Sequence, residues 1–287
     1  MKLFVVLCAI IAHGLAASLP NVQITTFRES VRASAYNSLS AKAPLVGRIA
    51  NGQPANENQI PYQVAVLSPI GHVFSICGGS IISTGWVLTA AHCTDGYSQH
   101  NLRFGTITST IGGQVQTAFE SIIHPEYNRD NKNFDISIIP IPTPLVLTAA
   151  IQVIRLPTNR QISSTFADVS AVVSGWGSTY NGGGASQILN WAEMRVIRNS
   201  ECADFFGNTV VVDHVLCAVG SGGPTQGHCG GDSGGPLTIV EAGVRTQIGV
   251  VSFGAAAGCN NPYPSGYMRT SNFIHWINEK TSIPIRP

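Results

Sequence analysis

The sequence has few of the features that mark a membrane, metal-binding or nucleic-acid-binding protein. After the N-terminal residues it has no apolar run near the roughly 20 residues that cross a bilayer, so we expect no membrane anchor. No Cys-x-x-Cys pair gives zinc its usual spacing, and the loop 105–116 lacks the acidic oxygens that calcium needs. The 16 Lys+Arg and 15 Asp+Glu nearly cancel. We therefore expect no metal, no cofactor and no nucleic-acid partner.

The chain begins with a segment typical of a secreted protein. Lys2 precedes an apolar run over residues 3–11, and small residues around Ala16 and Ala17 suit signal cleavage, so residues 1–17 are predicted to be a signal peptide. Residues 18–48 are polar and lack Cys and Trp, which indicates a propeptide ending at Arg48. A mature domain over residues 49–287 and an extracellular location follow as expectations.

Cysteine usage agrees with an oxidising compartment. Cys8 falls within the predicted signal peptide, and an even number remains: Cys77, Cys93, Cys202, Cys217, Cys229 and Cys259. Three disulfides are the natural expectation for a secreted chain. The sequence alone leaves the pairing open.

Hydrophobic patterning predicts an all-β protein with a C-terminal α-helix. Short strands are expected at 63–67, 73–82, 86–90, 114–120, 136–141, 169–175, 236–240 and 247–254, with Gly and Pro between them. In the terminal helix, Phe273, Ile274 and Ile277 share a face, and Ser271 is the expected N-cap.

One short stretch, GHCGGDSGGPL at residues 227–237, sets a serine among glycines. A serine hydroxyl is a poor nucleophile unless a base removes its proton and donors stabilise the oxyanion that forms. Glycines leave room for the backbone N–H groups of Gly231 and Ser233 to point at one oxygen. An exposed serine in a glycine-rich turn explains the same letters, so the motif needs partners.

His92 and Asp135 are the candidate partners of Ser233. His92 stands in WVLTAAHC at a strand end, whereas the other histidines lie in polar or loop-like surroundings that favour a solvated ring. Asp135 opens an apolar strand in NFDISIIPI, where an unpaired carboxylate would be costly to bury. A strand-start cap is the competing interpretation of Asp135. The order His, Asp, Ser makes coincidence improbable.

A second hydrolase interpretation starts from the same serine. The letters GDSGG also fit the nucleophile turn of α/β-hydrolases, in which an acid and then a histidine follow, as Glu241 and His275 do here. That fold requires alternating strands and helices and an HGGG-type loop, and neither is present. We set this alternative aside.

Five motifs resemble the trypsin and chymotrypsin family of serine proteases, closest to the secreted zymogens of invertebrates: IANG after Arg48, TAAHC, FDISII, GDSGGPL and VSFG. The likeness covers nearly all of residues 49–283. It implies two six-stranded antiparallel β-barrels, at roughly 49–155 and 156–270, followed by the helix. It implies general base, orienting acid and nucleophile roles for His92, Asp135 and Ser233. The amides of Gly231 and Ser233 would form the oxyanion hole.

The resemblance also implies covalent and activation details. The expected disulfides are Cys77–Cys93, Cys202–Cys217 and Cys229–Cys259. Cleavage after Arg48 would free the amino group of Ile49 to pair with Asp232 and shape the site. The usual residues after the new terminus are replaced here by Ala50 and Asn51.

Substrate preference is predicted from the pocket that the resemblance implies. Gly227 would form its base, Gly254 and Ser265 its walls, and residues 252–254 (Ser252, Phe253 and Gly254) the edge that pairs with substrate backbone. Without an acid at Gly227, a lysine or arginine would enter unpaired, so a large apolar residue before the cut is expected. His228 could shorten the pocket toward elastase-like or collagenolytic cleavage.

These expectations define partners and a rival class. The protein should be a monomeric endopeptidase that cuts proteins and peptides, is activated by a separate trypsin-like protease and can meet protein inhibitors. The lack of an accessory domain favours a digestive role, for example in a gut lumen. The rival is a non-catalytic homologue that uses the fold for binding, although such proteins typically lose a residue of the His, Asp and Ser set.

Overall fold

The computed structural model of the chain describes residues 49–287 except Pro224, together with the backbone of two short strands upstream. The predicted signal peptide, Arg48 and most of the predicted propeptide lie outside the described residues. Within the described part, no helix has the length and apolar character needed to span a bilayer.

Strands dominate the described residues. They are β1 (Ile24–Thr25), β2 (Glu29–Arg32), β3 (Gln53–Pro54), β4 (Gln63–Ile70), β5 (Val73–Ser83), β6 (Trp86–Thr89), β7 (His100–Phe104), β8 (Gln114–Ala118), β9 (Ile122–Ile123), β10 (Ser137–Pro140), β11 (Ser170–Gly175), β12 (Asn190–Ile197), β13 (Val215–Gly220), β14 (Pro236–Glu241), β15 (Val244–Ala255) and β16 (Ser265–Arg269). The α-helices are α1 (Ala91–Thr94), α2 (Asn199–Phe206) and α3 (Ile274–Thr281).

The first half of this region curls into an antiparallel barrel. Its strand order is β8-β7-β4-β5-β6-β10-β9, in which β9 has only two residues and the other six form the barrel. Side chains such as Val64, Leu88 and Phe104 point inward and are completely buried. Gly79 lies where an added Cβ would meet a Val87 methyl at 2.8 Å, so the strands pack too closely there for a side chain.

The second half forms a second antiparallel barrel. Neighbours follow the order β14-β11-β12-β13-β16, and β15 closes the ring because it pairs with both β14 and β16. Val173, Met194 and Ile248 fill its core, and the fully buried Ile49 belongs to the same cluster. The two-barrel, all-β expectation is therefore confirmed.

The helices differ partly from expectation. The C-terminal helix α3 is present, and its predicted inner face, with Ile274 and Ile277, is buried. Ser271 is not its N-cap, because the chain enters the helix through a 3₁₀ turn, Thr270–Phe273. Ser271 is completely buried inside that turn, and the helix starts after Phe273 with no side-chain cap. Strands β1, β2, β3, β7, β9, β12, β13 and β16 and helices α1 and α2 were not predicted.

Three disulfides join the six cysteines of the described domain: Cys77–Cys93, Cys202–Cys217 and Cys229–Cys259. These are the pairings that the resemblance implied. The first ties β5 to α1, and the third ties the glycine-rich stretch to the segment after β15. Each closes a loop of 15 to 30 residues. By lowering the entropy of the unfolded chain, each adds about 3 kcal/mol or more to the free energy of unfolding.

Candidate active site

His92 and Asp135 are joined by two hydrogen bonds inside the first barrel. His92 lies on the single-turn helix α1, and Asp135 lies just before β10. The backbone N–H of His92 donates to Oδ1 of Asp135 at 2.8 Å, and its ring Nδ1 lies 2.7 Å from Oδ2. Because a carboxylate accepts, Nδ1 carries the proton and Nε2 is left as the basic nitrogen. The carboxylate thus fixes both the position and the tautomer of the ring.

Asp135 is completely buried and still ionised. Burial by itself would raise the pKa of its carboxyl group, but the charge and hydrogen bonds of His92 and a hydrogen bond from Ser252 together hold that pKa below its usual value. The Ser252 hydroxyl donates to Oδ2 at 2.6 Å. Ser252 belongs to β15 of the second barrel, so this contact joins the two barrels at the carboxylate.

Ser233 lies in a tight turn that is anchored to the first barrel. Its carbonyl oxygen accepts a hydrogen bond from Gly78 N–H at 2.7 Å, and the next amide, Gly234 N–H, donates to Val251 O at 2.8 Å. Gly234 has φ of +79°, and a Cβ there would stand 2.1 Å from Thr89 Oγ1. Only glycine fits this position, which explains one glycine of the motif. Since Gly78 adjoins the Cys77–Cys93 disulfide, Ser233 and His92 are anchored to the same strand.

Asp232, beside the serine, is completely buried between backbone groups of the second barrel. Its carboxylate accepts hydrogen bonds of 2.8 Å from Gly177 N–H and from Cys229 N–H. Burial raises its pKa to about 7, although both hydrogen bonds oppose the shift. Gly175 and Gly177 leave the space it fills, since a Cβ on either would come within 2.5 Å of a carboxylate oxygen. A positively charged partner would lower the free-energy cost of keeping this buried carboxylate ionised.

The predicted pocket residues come together beside the serine turn. Gly227 pairs through a β-bridge with Ala50, and a Cβ added to it would meet Ser265 Oγ at 3.4 Å, an ordinary contact. His228 is buried, and its Nε2 lies 3.1 Å from Phe253 O, so Nε2 carries the proton. Burial lowers the pKa of His228 to about 4, which leaves its ring neutral at neutral pH. The hydrogen bond of His228 thus joins the segment that begins at Gly227 to the 252–254 edge.

One set of potential metal ligands lies next to this site. Within the described residues, one ligand atom each from Cys77, His92 and Cys93 lies within 4.8 Å of the others. The two sulfurs are bonded to each other. A disulfide supplies no thiolate, so this cluster does not have the chemistry of a metal site.

Comparison with known proteins agrees with this geometry. The family model described as Trypsin matches residues 49–277. The chain belongs to the trypsin family of serine proteases. It is 36% identical to brachyurin of Leptuca pugilator over 82% of this chain and 99% of that one. Chymotrypsin of Phaedon cochleariae is 32% identical, over 96% of this chain and 97% of its own. A solved structure of HL collagenase is similar with a TM-score of 0.76, at 33% identity, over 83% of this chain and all of that one.

The protease is therefore a serine endopeptidase whose substrates are proteins. Sequence reasoning missed three contacts in its site: the Ser252 hydroxyl on Asp135, the His228 hydrogen bond to Phe253, and the cradle of Gly175 and Gly177 around Asp232. The first partners are 117 residues apart, and no local pattern connects them. The sequence did contain a signal for the cradle around Asp232. The letters SGWG place two glycines, Gly175 and Gly177, close together at the end of a predicted strand.

Proposed function

We propose that this protein is a secreted precursor that becomes, after cleavage behind Arg48, an endopeptidase with a Ser233, His92 and Asp135 triad. Its preference would be for large apolar or aromatic residues before the cut bond. The observation that carries the proposal is the pair of contacts from His92 and Ser252 to the buried Asp135 carboxylate. A carboxylate so placed can orient an imidazole and stabilise its protonated form.

The proposed reaction is acyl transfer through the serine. Nε2 of His92 removes the Ser233 hydroxyl proton as Oγ attacks the substrate carbonyl carbon, and the amides of Gly231 and Ser233 donate to the oxyanion. His92 then protonates the leaving amine. Water then attacks the acyl carbon while Nε2 of His92 takes its proton. The bond between Oγ and the acyl carbon breaks, His92 returns the proton to Oγ, and the carboxylic acid product leaves. Asp135 keeps the proton on Nδ1 throughout and stabilises the imidazolium.

Activation would depend on Asp232. Its raised pKa reflects burial, and its described partners are two neutral N–H groups. Cleavage after Arg48 would create an ammonium group on Ile49, which already lies buried in the second barrel. An ion pair between the two would relieve the cost of the buried carboxylate. It would also hold the turn that carries Ser233.

Specificity would follow from an uncharged pocket. Gly227 contributes no side chain, Ser265 no charge, and His228 is neutral because burial lowers its pKa to about 4. A lysine or arginine in such a pocket would lose its hydration without gaining a counterion. An activator that cuts after Arg48 must therefore be a different, trypsin-like protease. Protein inhibitors and a monomeric state remain part of the same proposal.

The second candidate is an elastase-like preference for small residues or a broad, collagenolytic preference. The reason is that His228 would take up volume at the base of the proposed pocket. Two of the similar proteins carry the names brachyurin and collagenase. The test is a panel of peptides that differ only in the residue before the cut. Highest kcat/KM for Phe, Tyr or Leu supports the chymotrypsin-like proposal, and highest values for Ala or an even profile favour the alternative. Ser233→Ala is the control for contaminating proteases.

Location and chemistry can be tested separately. After expression of the full chain in cells, N-terminal sequencing of the protein in the medium should give a terminus near Ser18. Sequencing after trypsin treatment should give a new terminus at Ile49. A serine-directed sulfonyl fluoride should then label Ser233 in the treated protein. Absence of an adduct at Ser233 would favour a binding role for the site and would reject the proposed mechanism.

A further inference from the structure

Two short strands of the predicted propeptide pair with the strands beside the candidate active site. Strand β1 runs antiparallel to β15, with Ile24 opposite Ala255 and Thr25 opposite Gly254. Gly254 is the last residue of the 252–254 edge, which is the proposed edge for substrate backbone, and Ala255 follows it directly. The first pairing therefore lies on the second barrel, immediately next to Ser252.

Strand β2 pairs with the first barrel. It runs antiparallel to β5, with Glu29 opposite Ile76 and Arg32 opposite Val73. Ile76 precedes Cys77, whose disulfide partner Cys93 follows His92 in the chain. The second pairing thus lies on the first barrel, on the same strand, β5, that anchors Ser233 through Gly78.

The length of chain between these pairings restricts its path. Three residues separate Thr25 from Glu29, so the two Cα atoms are at most about 14 Å apart even in a fully extended chain. The paired ends lie on different barrels, and the triad residues lie where the barrels meet. In the full chain, Ser233 and His92 are each only 3% exposed. The two proposed catalytic side chains are therefore almost completely covered in the uncut chain.

We propose that the two propeptide strands β1 and β2 occupy the substrate cleft in the manner of a bound substrate and close it in the uncut chain. This inference rests on the proposed function, since it takes the 252–254 edge as the peptide-binding edge. Main-chain pairing to a sheet edge is a general way to bind an extended peptide. The occupant is a segment of the same chain, so its local concentration is high.

The pairing of β1 also leads to a proposal for the bond that would lie at Ser233. If the register of the Thr25–Gly254 pair were kept for two more residues along the sequence, Phe27 would correspond to Ser252, the residue bonded to Asp135. Phe27 is an aromatic residue of the kind proposed for the pocket. The peptide bond between Phe27 and Arg28 would then face the nucleophile. Its hydrolysis by water would leave a carboxylate on Phe27 and an amine on Arg28.

The first test needs no enzymatic activity. Hydrogen exchange is measured on the full chain carrying Ser233→Ala, with and without the added pair Thr25→Pro and Ser30→Pro, because proline cannot donate a backbone hydrogen bond. Exchange at residues 254–255, and at those amides of residues 73–76 that do not face β4, should become roughly tenfold faster or more in the proline variant. Ser40→Pro, outside both strands, is the matched control and should leave it unchanged. Equal exchange in all three proteins would overturn the proposal.

The second test uses the chain cut after Arg48, an aromatic reporter peptide, and a synthetic peptide of residues 22–34. The peptide should raise the KM for the reporter without lowering kcat, and prolonged incubation should cut it after Phe27. A scrambled peptide should not compete, and a Phe27→Asp peptide should compete about tenfold less well, because the uncharged pocket would bury its carboxylate.

The two proposals can fail separately. If the reporter is hydrolysed but the 22–34 peptide does not compete, the inference that the propeptide fills the cleft is wrong. The proposed function is then still supported. No hydrolysis of any reporter, together with exchange that still responds to the two prolines, would reject the proposed function and retain the occupied edge.

Discussion

The Ser252 hydroxyl donates a hydrogen bond to Oδ2 of Asp135, the same oxygen that Nδ1 of His92 contacts. Removing this donor in Ser252→Ala should raise the pKa of Asp135 and lower kcat by roughly tenfold, as expected for one hydrogen bond to a charged group. Asp135→Asn should reduce kcat by about 10⁴-fold, the magnitude known for this substitution elsewhere in the family. Steady-state kinetics on one aromatic peptide would measure both. An equal fall in kcat in the two variants would contradict the expectation that Asp135 contributes more to catalysis than Ser252.

A charge at the base of the pocket should redirect specificity. In Gly227→Asp the new side chain has room for its Cβ, since the nearest atom is Ser265 Oγ at 3.4 Å. We expect the ratio of kcat/KM for an arginine peptide over a phenylalanine peptide to rise by roughly 10- to 100-fold. Gly227→Asn has nearly the same shape without the charge. A similar shift in that control would mean that volume, rather than charge, sets the preference.

The imidazole of His228 should limit pocket depth. Its ring packs edge-on against Tyr267, with centroids 5.5 Å apart, and bonds to Phe253 O. His228→Ser should raise kcat/KM for tyrosine and phenylalanine peptides relative to an alanine peptide by about tenfold. Burial of a few more substrate carbon atoms in a deeper pocket changes kcat/KM by about this factor. His228→Gln keeps comparable volume and should change the ratio little. A lower tyrosine-to-alanine ratio in the serine variant would show that the ring aids aromatic binding.

Activation should change how stability depends on pH. In the uncut chain the pKa of Asp232 is raised from 3.8 to about 7, so the native state binds more protons than the unfolded state between these values. Its contribution is complete below about pH 4 and is lost as pH rises through 7, a penalty of about 4 kcal/mol. An Ile49 ammonium would remove most of that penalty. The Tm of the cut protein minus that of the uncut protein should therefore grow from pH 4 to 7.

Asp232→Asn supplies the control for this measurement. Its amide does not ionise, so the Tm difference between its cut and uncut forms should be flat over the same range. Other buried groups, such as His228, occur in both forms and largely cancel in the difference. Parallel pH profiles for cut and uncut wild-type protein would argue against the ion pair with the new terminus.

Local patterns in the sequence were sufficient for the all-β fold class. They also proposed three triad positions, of which the structure pairs two, His92 and Asp135. Asp135 could be identified because an acid at the start of an apolar strand needs a partner, and the structure gives it His92. Strand β12 was missed although its residues alternate between buried and exposed, because Glu193 and Arg195 on the outer face interrupt the apolar run. The Ser271 cap was wrong because a polar residue before an apolar helix also fits a buried 3₁₀ turn.

Other features depend on contacts that sequence spacing does not encode. The bond from Ser252 to Asp135 spans 117 residues and crosses between barrels, so neither partner reveals the other. The pairing of β1 and β2 with opposite barrels depends on the finished cleft, and the polar propeptide composition had indicated only a removable segment.

The cradle of Asp232 has a consequence for how this scaffold can diverge. The carboxylate fills the volume where Cβ atoms of residues 175 and 177 would stand, so one extra methyl group at either position displaces the acid next to Ser233. A duplicated copy with alanine at position 177 would retain His92, Asp135 and Ser233 and yet have a distorted turn at Ser233. If these three residues form the proposed triad, their presence in such a copy does not ensure hydrolysis, and the two glycines at 175 and 177 must be inspected as well.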